Sequence, residues 1–273
     1  MKNFFDGPVP KFDDHIRKSI PTVDALYSLC HGLTYAMSQD RTRVVDLGCS
    51  TGKFLRDTPK RTTVSYVGVD FLDWKWETTP RVTFKHNDAL TFLRDGGAKD
   101  ASVVLSLFTL QFMPFSEREE VIRRVADGLV HGGIFILAEK VHLPSAGVSE
   151  VLERNLIEWK RPKSTDKEIL DKSVKLASSM RRNTFEGLYE NMNEHFDSVN
   201  VIWANGSFVC MVGDEMIAQL LTIAAIVIVA YAAFFVITIT AIASLPADLN
   251  GLAVPLGIMA AIVVLLGVYQ LCE

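Results

Sequence analysis

Along the N-terminal part of the chain, short apolar runs alternate with segments whose apolar positions recur every three or four residues. Such alternation predicts strands and helices in turn. Strands are expected at Arg43–Leu47, Ser65–Val69, Arg81–Phe84, Ala101–Leu107 and Gly133–Ala138. Phe12 to Met37 reads as helices broken at Pro21, and Glu117 to Leu129 as an amphipathic helix capped by Ser116, with Glu119 at the capping-box position. Val148 to Met180 is helical without a strand, and Thr184 caps a further helix reaching Phe196. Val199–Trp203 and Ser207–Val212, joined across Ala204-Asn205-Gly206, form a hairpin on an Asn-Gly turn. The prediction is an α/β fold: five parallel strands, then an antiparallel pair.

Two of the crossovers are short. Gly52 to Ser65 contains Pro59, and Asp70 to Arg81 contains Pro80. Parallel strands need a connection of about a dozen residues, so neither crossover has room for a full helix.

The pattern changes near residue 214. No charged residue occurs from Met216 to Ala247 or from Leu249 to Cys272, and Asp248 stands alone between them. About 20 apolar residues cross a bilayer core, and soluble core helices keep a polar stripe that these segments lack. Two transmembrane helices are expected, at about 216–245 and 252–272, turning at Pro246, Asn250 and Gly251. The domains are then 1–213, with a helical insertion at about 145–182, and a membrane hairpin over 214–273. A hairpin returns its ends to one side, so the domain and both termini share a compartment.

All 28 Lys and Arg lie at or before Arg182. Leaving out Asp214, Glu215, Asp248 and Glu273, the domain also carries 28 acidic residues, so it is neutral. Broad nucleic-acid affinity rests on neutralising phosphates and is not expected. Cys30, Cys49, Cys210 and Cys272 show no metal-ligand spacing, and the six histidines show no i, i+4 pair. No metal site is expected, and the scattered thiols fit a reducing compartment.

The main chemical signal is Val44-Val-Asp-Leu-Gly-Cys-Ser-Thr-Gly52, a strand running into a glycine-bracketed loop. Dinucleotide sites use G-x-G-x-x-G to seat a pyrophosphate. Here Gly48 and Gly52 stand four apart, and Asp46 precedes the turn. A carboxylate repels a pyrophosphate but attracts the amino group of a methionine moiety. The expected ligand is S-adenosyl-L-methionine (SAM), on a Rossmann-like class I methyltransferase fold. Asp70, ending the second strand, is placed to accept both ribose hydroxyls, and Phe71 to lie on the adenine face. Asp88, after the third strand, is placed to accept from the adenine amino group. Ligands of open α/β sheets bind at this carboxyl edge.

Five strings carry a closer resemblance. Phe12-Asp-Asp-His-Ile-Arg-Lys-Ser-Ile-Pro21, Val45-Asp-Leu-Gly-Cys-Ser50, Phe108-Thr-Leu-Gln-Phe112, Ser116-Glu-Arg118 and Gly132-Gly-Ile-Phe-Ile-Leu-Ala-Glu-Lys140 resemble carboxy-S-adenosyl-L-methionine (carboxy-SAM) synthases over roughly residues 12 to 212. That family uses SAM and prephenate to make carboxy-SAM for wobble-uridine modification of tRNA. The resemblance implies cofactor contacts at Gly48, Cys49, Ser50, Asp70, Phe71, Asp88 and Ala89. The chain departs from the family pattern at three positions. A tyrosine falls at Val23, an asparagine near Leu107, and the arginine that holds the added carboxylate near Ser173. Serine cannot replace a planar cation, so the expectation is that no carboxy-SAM is made. Arg181 or Arg182 would be the substitutes on the same helix, with Arg161 a further substrate candidate.

Lys160, Arg161, Lys163, Lys167, Lys172, Lys175, Arg181 and Arg182 form a basic stretch offset by Asp166, Glu168 and Asp171. It reads as a solvated face, or as a contact with anionic headgroups or an acidic substrate. The leading expectation is a membrane-anchored SAM-dependent methyltransferase, its SAM-binding domain and both termini in the cytoplasm, because SAM is a cytosolic metabolite. Its acceptor is left open, a lipid or small molecule being favoured. Carboxy-SAM synthesis and a catalytically silent SAM-binding membrane protein are the alternatives, and the oligomeric state is left open.

Overall fold

Seven runs rich in β-branched and aromatic residues become the strands of one sheet. The computed structural model describes residues 9–214, with side chains from residue 13 onward. The chain divides into two units between Met216 and Ile217, and residues 9–214 belong to the first. Both expected membrane segments lie outside the described residues. No helix among the described residues is long and apolar enough to cross a membrane.

Two helices open the domain, α1 (Val9–Arg17) and α2 (Val23–Met37), separated at Pro21 as the sequence implies. There follow β1 (Arg43–Leu47), the short α3 (Lys53–Asp57), β2 (Ser65–Asp70), β3 (Val82–His86), α4 (Ala89–Arg94) and β4 (Ala101–Leu107). After a 3₁₀ turn at Leu110–Phe112 come α5 (Phe115–Gly128), β5 (Leu129–Lys140), α6 (Ala146–Lys160), α7 (Asp166–Ser179), α8 (Phe185–Asn193), β6 (Ser198–Asn205) and β7 (Phe208–Asp214). The strand order is β3-β2-β1-β4-β5-β7-β6. The first five strands are parallel, and β7 runs antiparallel to both β5 and β6. The two short crossovers are as lean as their prolines imply: five residues of helix in one and none in the other.

Successive strand residues point to opposite faces, and both faces here are apolar. Val44, Tyr66, Val103, Leu105 and Ile136 join one core with Leu26 of α2 and Leu55 of α3. Val45, Val67, Val104, Phe135 and Leu137 join the other with Val121 of α5 and Leu188 of α8. A sheet covered on both faces explains why these strands read as continuous apolar runs rather than alternating ones.

Two local expectations are corrected, and the strand-free helical stretch is resolved in more detail. Ser116 is not the cap of α5. Pro114 holds that position, its carbonyl accepting from Glu117 N–H at 3.1 Å, so the helix starts a residue before Ser116. The helical stretch after residue 145 is two helices, because Pro162 has no N–H to continue a ladder and Thr165 starts α7 with a full capping box to Glu168. Asn205 pairs with Phe208, so Gly206-Ser207 is the hairpin loop, with Gly206 at φ +60°. Asn205 itself reaches Thr22 Oγ1 at 3.1 Å.

Arg118 ties α5 to the chain between α7 and α8. Only 3 % exposed, it donates to Met113 O from Nε (3.1 Å) and Nη2 (2.8 Å), to Asn183 Oδ1 (2.9 Å) and to Arg181 O. Hydrogen bonds to a charged group contribute about 1.5–3 kcal/mol, and their loss leaves buried acceptors bare. At about 2–4 °C per kcal/mol for a domain of this size, Arg118→Met should lower Tm by about 3–12 °C. Arg123, whose pair with Asp127 is exposed, should tolerate the same change. Equal Tm values for the two variants, by calorimetry, would contradict this role.

Candidate SAM site

The loop after β1 is tied to the end of β2 before any ligand is considered. Gly48 and Cys49 both donate their N–H to Val69 O, at 2.8 and 3.0 Å. Gly48 adopts φ +75°, and a Cβ there would lie 2.2 Å from Thr109 Oγ1, so only glycine fits. Ser50 is held left-handed at φ +50°, a conformation that persists only when its surroundings impose it. Asp70 Oδ2 accepts from Ser50 N–H at 2.9 Å, and Trp76 Nε1 donates to Ser50 O at 2.7 Å. Asp70 Oδ1 accepts from Leu72 N–H at 2.9 Å. The Trp74 side chain is a third hydrogen-bond donor to this carboxylate.

Asp46 is 3 % exposed and Asp70 7 %. Burial pushes the Asp46 carboxyl up to about 7, with the Asp70 charge adding to the shift. Burial also raises Asp70, against the hydrogen bonds from Leu72 and Ser50 that lower it. Two carboxylates buried beside each other favour a cationic ligand, because an opposite charge relieves both desolvation and repulsion. SAM carries such charge on its ammonium and sulfonium groups.

The other expected residues extend the site around the same edge. Phe71 offers an apolar surface, 39 % exposed. Asp88 caps α4, its Oδ1 accepting from Thr91 N–H at 2.8 Å. Against burial, which raises it, hydrogen bonds from Thr91 and neighbouring amides hold its carboxyl below the usual carboxylate range. A single cavity of about 990 Å³ is lined by Asp46, Gly48, Cys49, Ser50, Asp70, Phe71, Asp88, Ala89 and Leu107. Gly52 is not among its lining residues. At φ +76° it lets the chain turn against Phe84, whose ring a Cβ would meet at 2.4 Å. Burial drives the Cys49 thiol far above its ordinary range, so it packs rather than reacts.

The expected substrate arginines do not reach this cavity. Arg161 pairs with Glu158 and Asp166 at the surface, Arg182 pairs with Glu153, and Arg181 is exposed. Ser173 is also exposed, bonded to Leu170 O at 2.8 Å, whereas its neighbour Lys172 lines the cavity. Lys140 and Lys160 line it too. One step along a helix turns the side chain by about 100°, which is why Lys172 lines the cavity while Ser173 faces out. Val23 is buried in the core, and Tyr27, one helical turn on, lines the cavity. Away from the cavity, Glu119, Glu194 and His195 bring ligand atoms within 4.8 Å of one another, with both glutamates exposed.

No family model matches the chain. A carboxy-SAM synthase of Pseudoalteromonas atlantica is 30% identical over 211 residues, which cover 73% of this chain and 86% of that relative. The chain belongs to the carboxy-SAM synthase family. A second member, from Alteromonas mediterranea, is 30% identical over 203 residues, covering 70% of this chain and 80% of the relative. Among solved structures, an O-methyltransferase family protein from Burkholderia thailandensis superimposes at TM-score 0.49 with 16% identity, over 75% of this chain and 58% of that one. This carboxy-SAM synthase family member is a SAM-using enzyme with a Rossmann-like fold.

If SAM sits against Asp46, its binding should depend on pH. Below about 7 the empty site holds Asp46 protonated, and a bound cation favours its ionised form, so binding there releases a proton. SAM affinity should rise by up to about tenfold per pH unit below the pKa and level off above it. Calorimetric titration between about pH 5.5 and 7.5 should show this slope, and Asp46→Asn should flatten it. A wild-type affinity independent of pH would remove Asp46 from the cation site.

Proposed function

We propose that the chain forms carboxy-SAM from SAM and prephenate, with both substrates in one cavity. The observation that carries this reading is the pairing of opposite charges in that cavity: buried Asp46 and Asp70 at one part of the lining, Lys172 at another. Family membership supplies the reaction class. The carboxylates and Phe71 hold SAM by its cationic and adenine parts. A lysine takes the role of the absent arginine toward a carboxylate, as a point charge rather than a fork. Enclosing both reactants supplies most of what such a transfer needs, namely proximity and exclusion of water.

Methyl transfer to a lipid or small-molecule acceptor is the second reading. It is favoured by Leu107, an apolar side chain lining the cavity where the family pattern has an asparagine. Purified protein should convert SAM and prephenate to carboxy-SAM, identified by mass spectrometry. Formation of S-adenosylhomocysteine with an added acceptor, and no prephenate-dependent product, would support methyl transfer instead.

The uncharged C-terminal stretches support a two-pass anchor at about 216–245 and 252–272, with the SAM-binding domain and both termini in the cytoplasm. The domain's last strand runs to Asp214, which pairs with Ile134 and Ser198 and accepts from Ser198 Oγ at 2.7 Å. A chain ending at Glu215 should therefore be soluble without detergent and bind SAM with wild-type affinity. Aggregation of that fragment, seen by size-exclusion chromatography, would mean that the C-terminal segments belong to the fold.

A further inference from the structure

Among the cationic side chains that line the cavity, three act on one another from separate elements. Lys140 comes from the end of β5, Lys160 from the last turn of α6 and Lys172 from the middle of α7, and all three line the same space as Asp46 and Asp70. Lys140 is only 9 % exposed, and its ammonium lies 2.7 Å from Glu153 Oε1. That oxygen is already shared with Arg182, at 2.9 Å. No ion pair joins Lys160 or Lys172 to a carboxylate among the described residues. Lys172 instead donates to Ser19 Oγ, from the segment after α1. One carboxylate thus answers four cationic side chains.

Gathering like charges away from water is costly unless something neutralises them. The protein supplies half of what Lys140 needs, a longer-range pull from Glu153 for Lys160, and no carboxylate charge for Lys172 among the described residues. We propose that Lys140, Lys160 and Lys172 form a binding site for a dianionic group of the second substrate, next to SAM in the shared cavity. This rests on the reading of the chain as a SAM-using enzyme with a second ligand. A monoanion would leave most of the excess charge in place, whereas a dianion balances Lys160 and Lys172 and completes the shell of Lys140. Both a dicarboxylate and a phosphate ester offer that chemistry.

The site also couples anion binding to protons. Burial, reinforced by Lys160 and Lys140, brings the Lys172 ammonium down to about 7. Burial also lowers Lys160 and Lys140, the latter against the pull of Glu153. From the N-terminal segment His15 faces the cluster. Burial and the charges of Lys172, Lys160 and Lys18 push it down to about 4, so it is neutral at pH 7. An anion stabilises the ammonium form of Lys172, so binding above pH 7 takes up a proton, and affinity falls as pH rises through that value.

The test is calorimetric titration of the full chain in detergent with malonate, inorganic phosphate and acetate, alongside SAM. At about pH 7, where malonate and about half of inorganic phosphate are dianionic, at least one dianion should bind, with acetate about tenfold or more weaker. Lys172→Met should weaken the dianion by about ten- to a hundredfold and leave SAM affinity unchanged. Wild-type affinity for the dianion should be lower at pH 8.5. Malonate binding without phosphate assigns a dicarboxylate and the reverse assigns a phosphate ester, and both uphold the site. If Lys172→Met does not fold, Lys160→Met carries the same expectation. Wild-type protein that binds SAM but neither dianion, or a lysine variant that binds the dianion as tightly as wild type, would overturn the proposal. Wild-type protein that fails to bind SAM would instead overturn the reading on which it rests.

Discussion

Two buried carboxylates, Asp46 and Asp70, impose the constraint around which the carboxyl edge of the sheet is organised. Each ends or nearly ends a parallel strand, so the fold delivers them side by side at the edge where ligands of such sheets bind. Asp70 meets part of the cost of burial by accepting the amides of Ser50 and Leu72. Those bonds in turn fix the left-handed Ser50 and hold the loop that begins at Gly48. The residual electrostatic stress sits on Asp46, whose carboxyl is pushed up to about 7. A cationic ligand relieves that stress, which makes the empty site selective by charge before any shape is considered.

The cavity is polarised by the same logic in reverse. Lysines 140, 160 and 172 gather on elements C-terminal to the fourth strand, while the acids come from the first two. A cavity with separated charges can orient one positive and one negative partner against each other. The helical pair α6 and α7 contributes little to the core: Leu156 is the one buried residue of α6, and α7 has none. What these helices supply to the cavity is cationic side chains, Lys160 and Lys172.

Much of this was legible in the sequence, for reasons that can be named. The strands β1 and β4 fall on the residues their apolar runs imply, because a sheet covered on both faces leaves no polar position to blur them. Gly48, Asp70 and Asp88 could be placed because a turn, a strand end and a helix start each demand particular residue types. The lysines could not. Lys160 and Lys172 lie in a run of basic residues whose other members face solvent, and only the packing of α6 and α7 decides which of them turn inward. Ser173 shows the same limit from the other side, since the serine aligned with a missing arginine faces out while its neighbour faces in. The α5 cap and the hairpin loop were displaced by one or two residues, the scale on which local hydrogen bonds outweigh pattern.

The central claim is that SAM occupies the edge built around Asp46 and Asp70. Hydrogen exchange of the full chain, read by mass spectrometry with and without SAM, tests it most directly. The account predicts added protection in the peptides spanning 46–52, 70–74 and 88–91, with the β6–β7 hairpin unchanged. Protection confined to other segments, with these three unaltered, would contradict it.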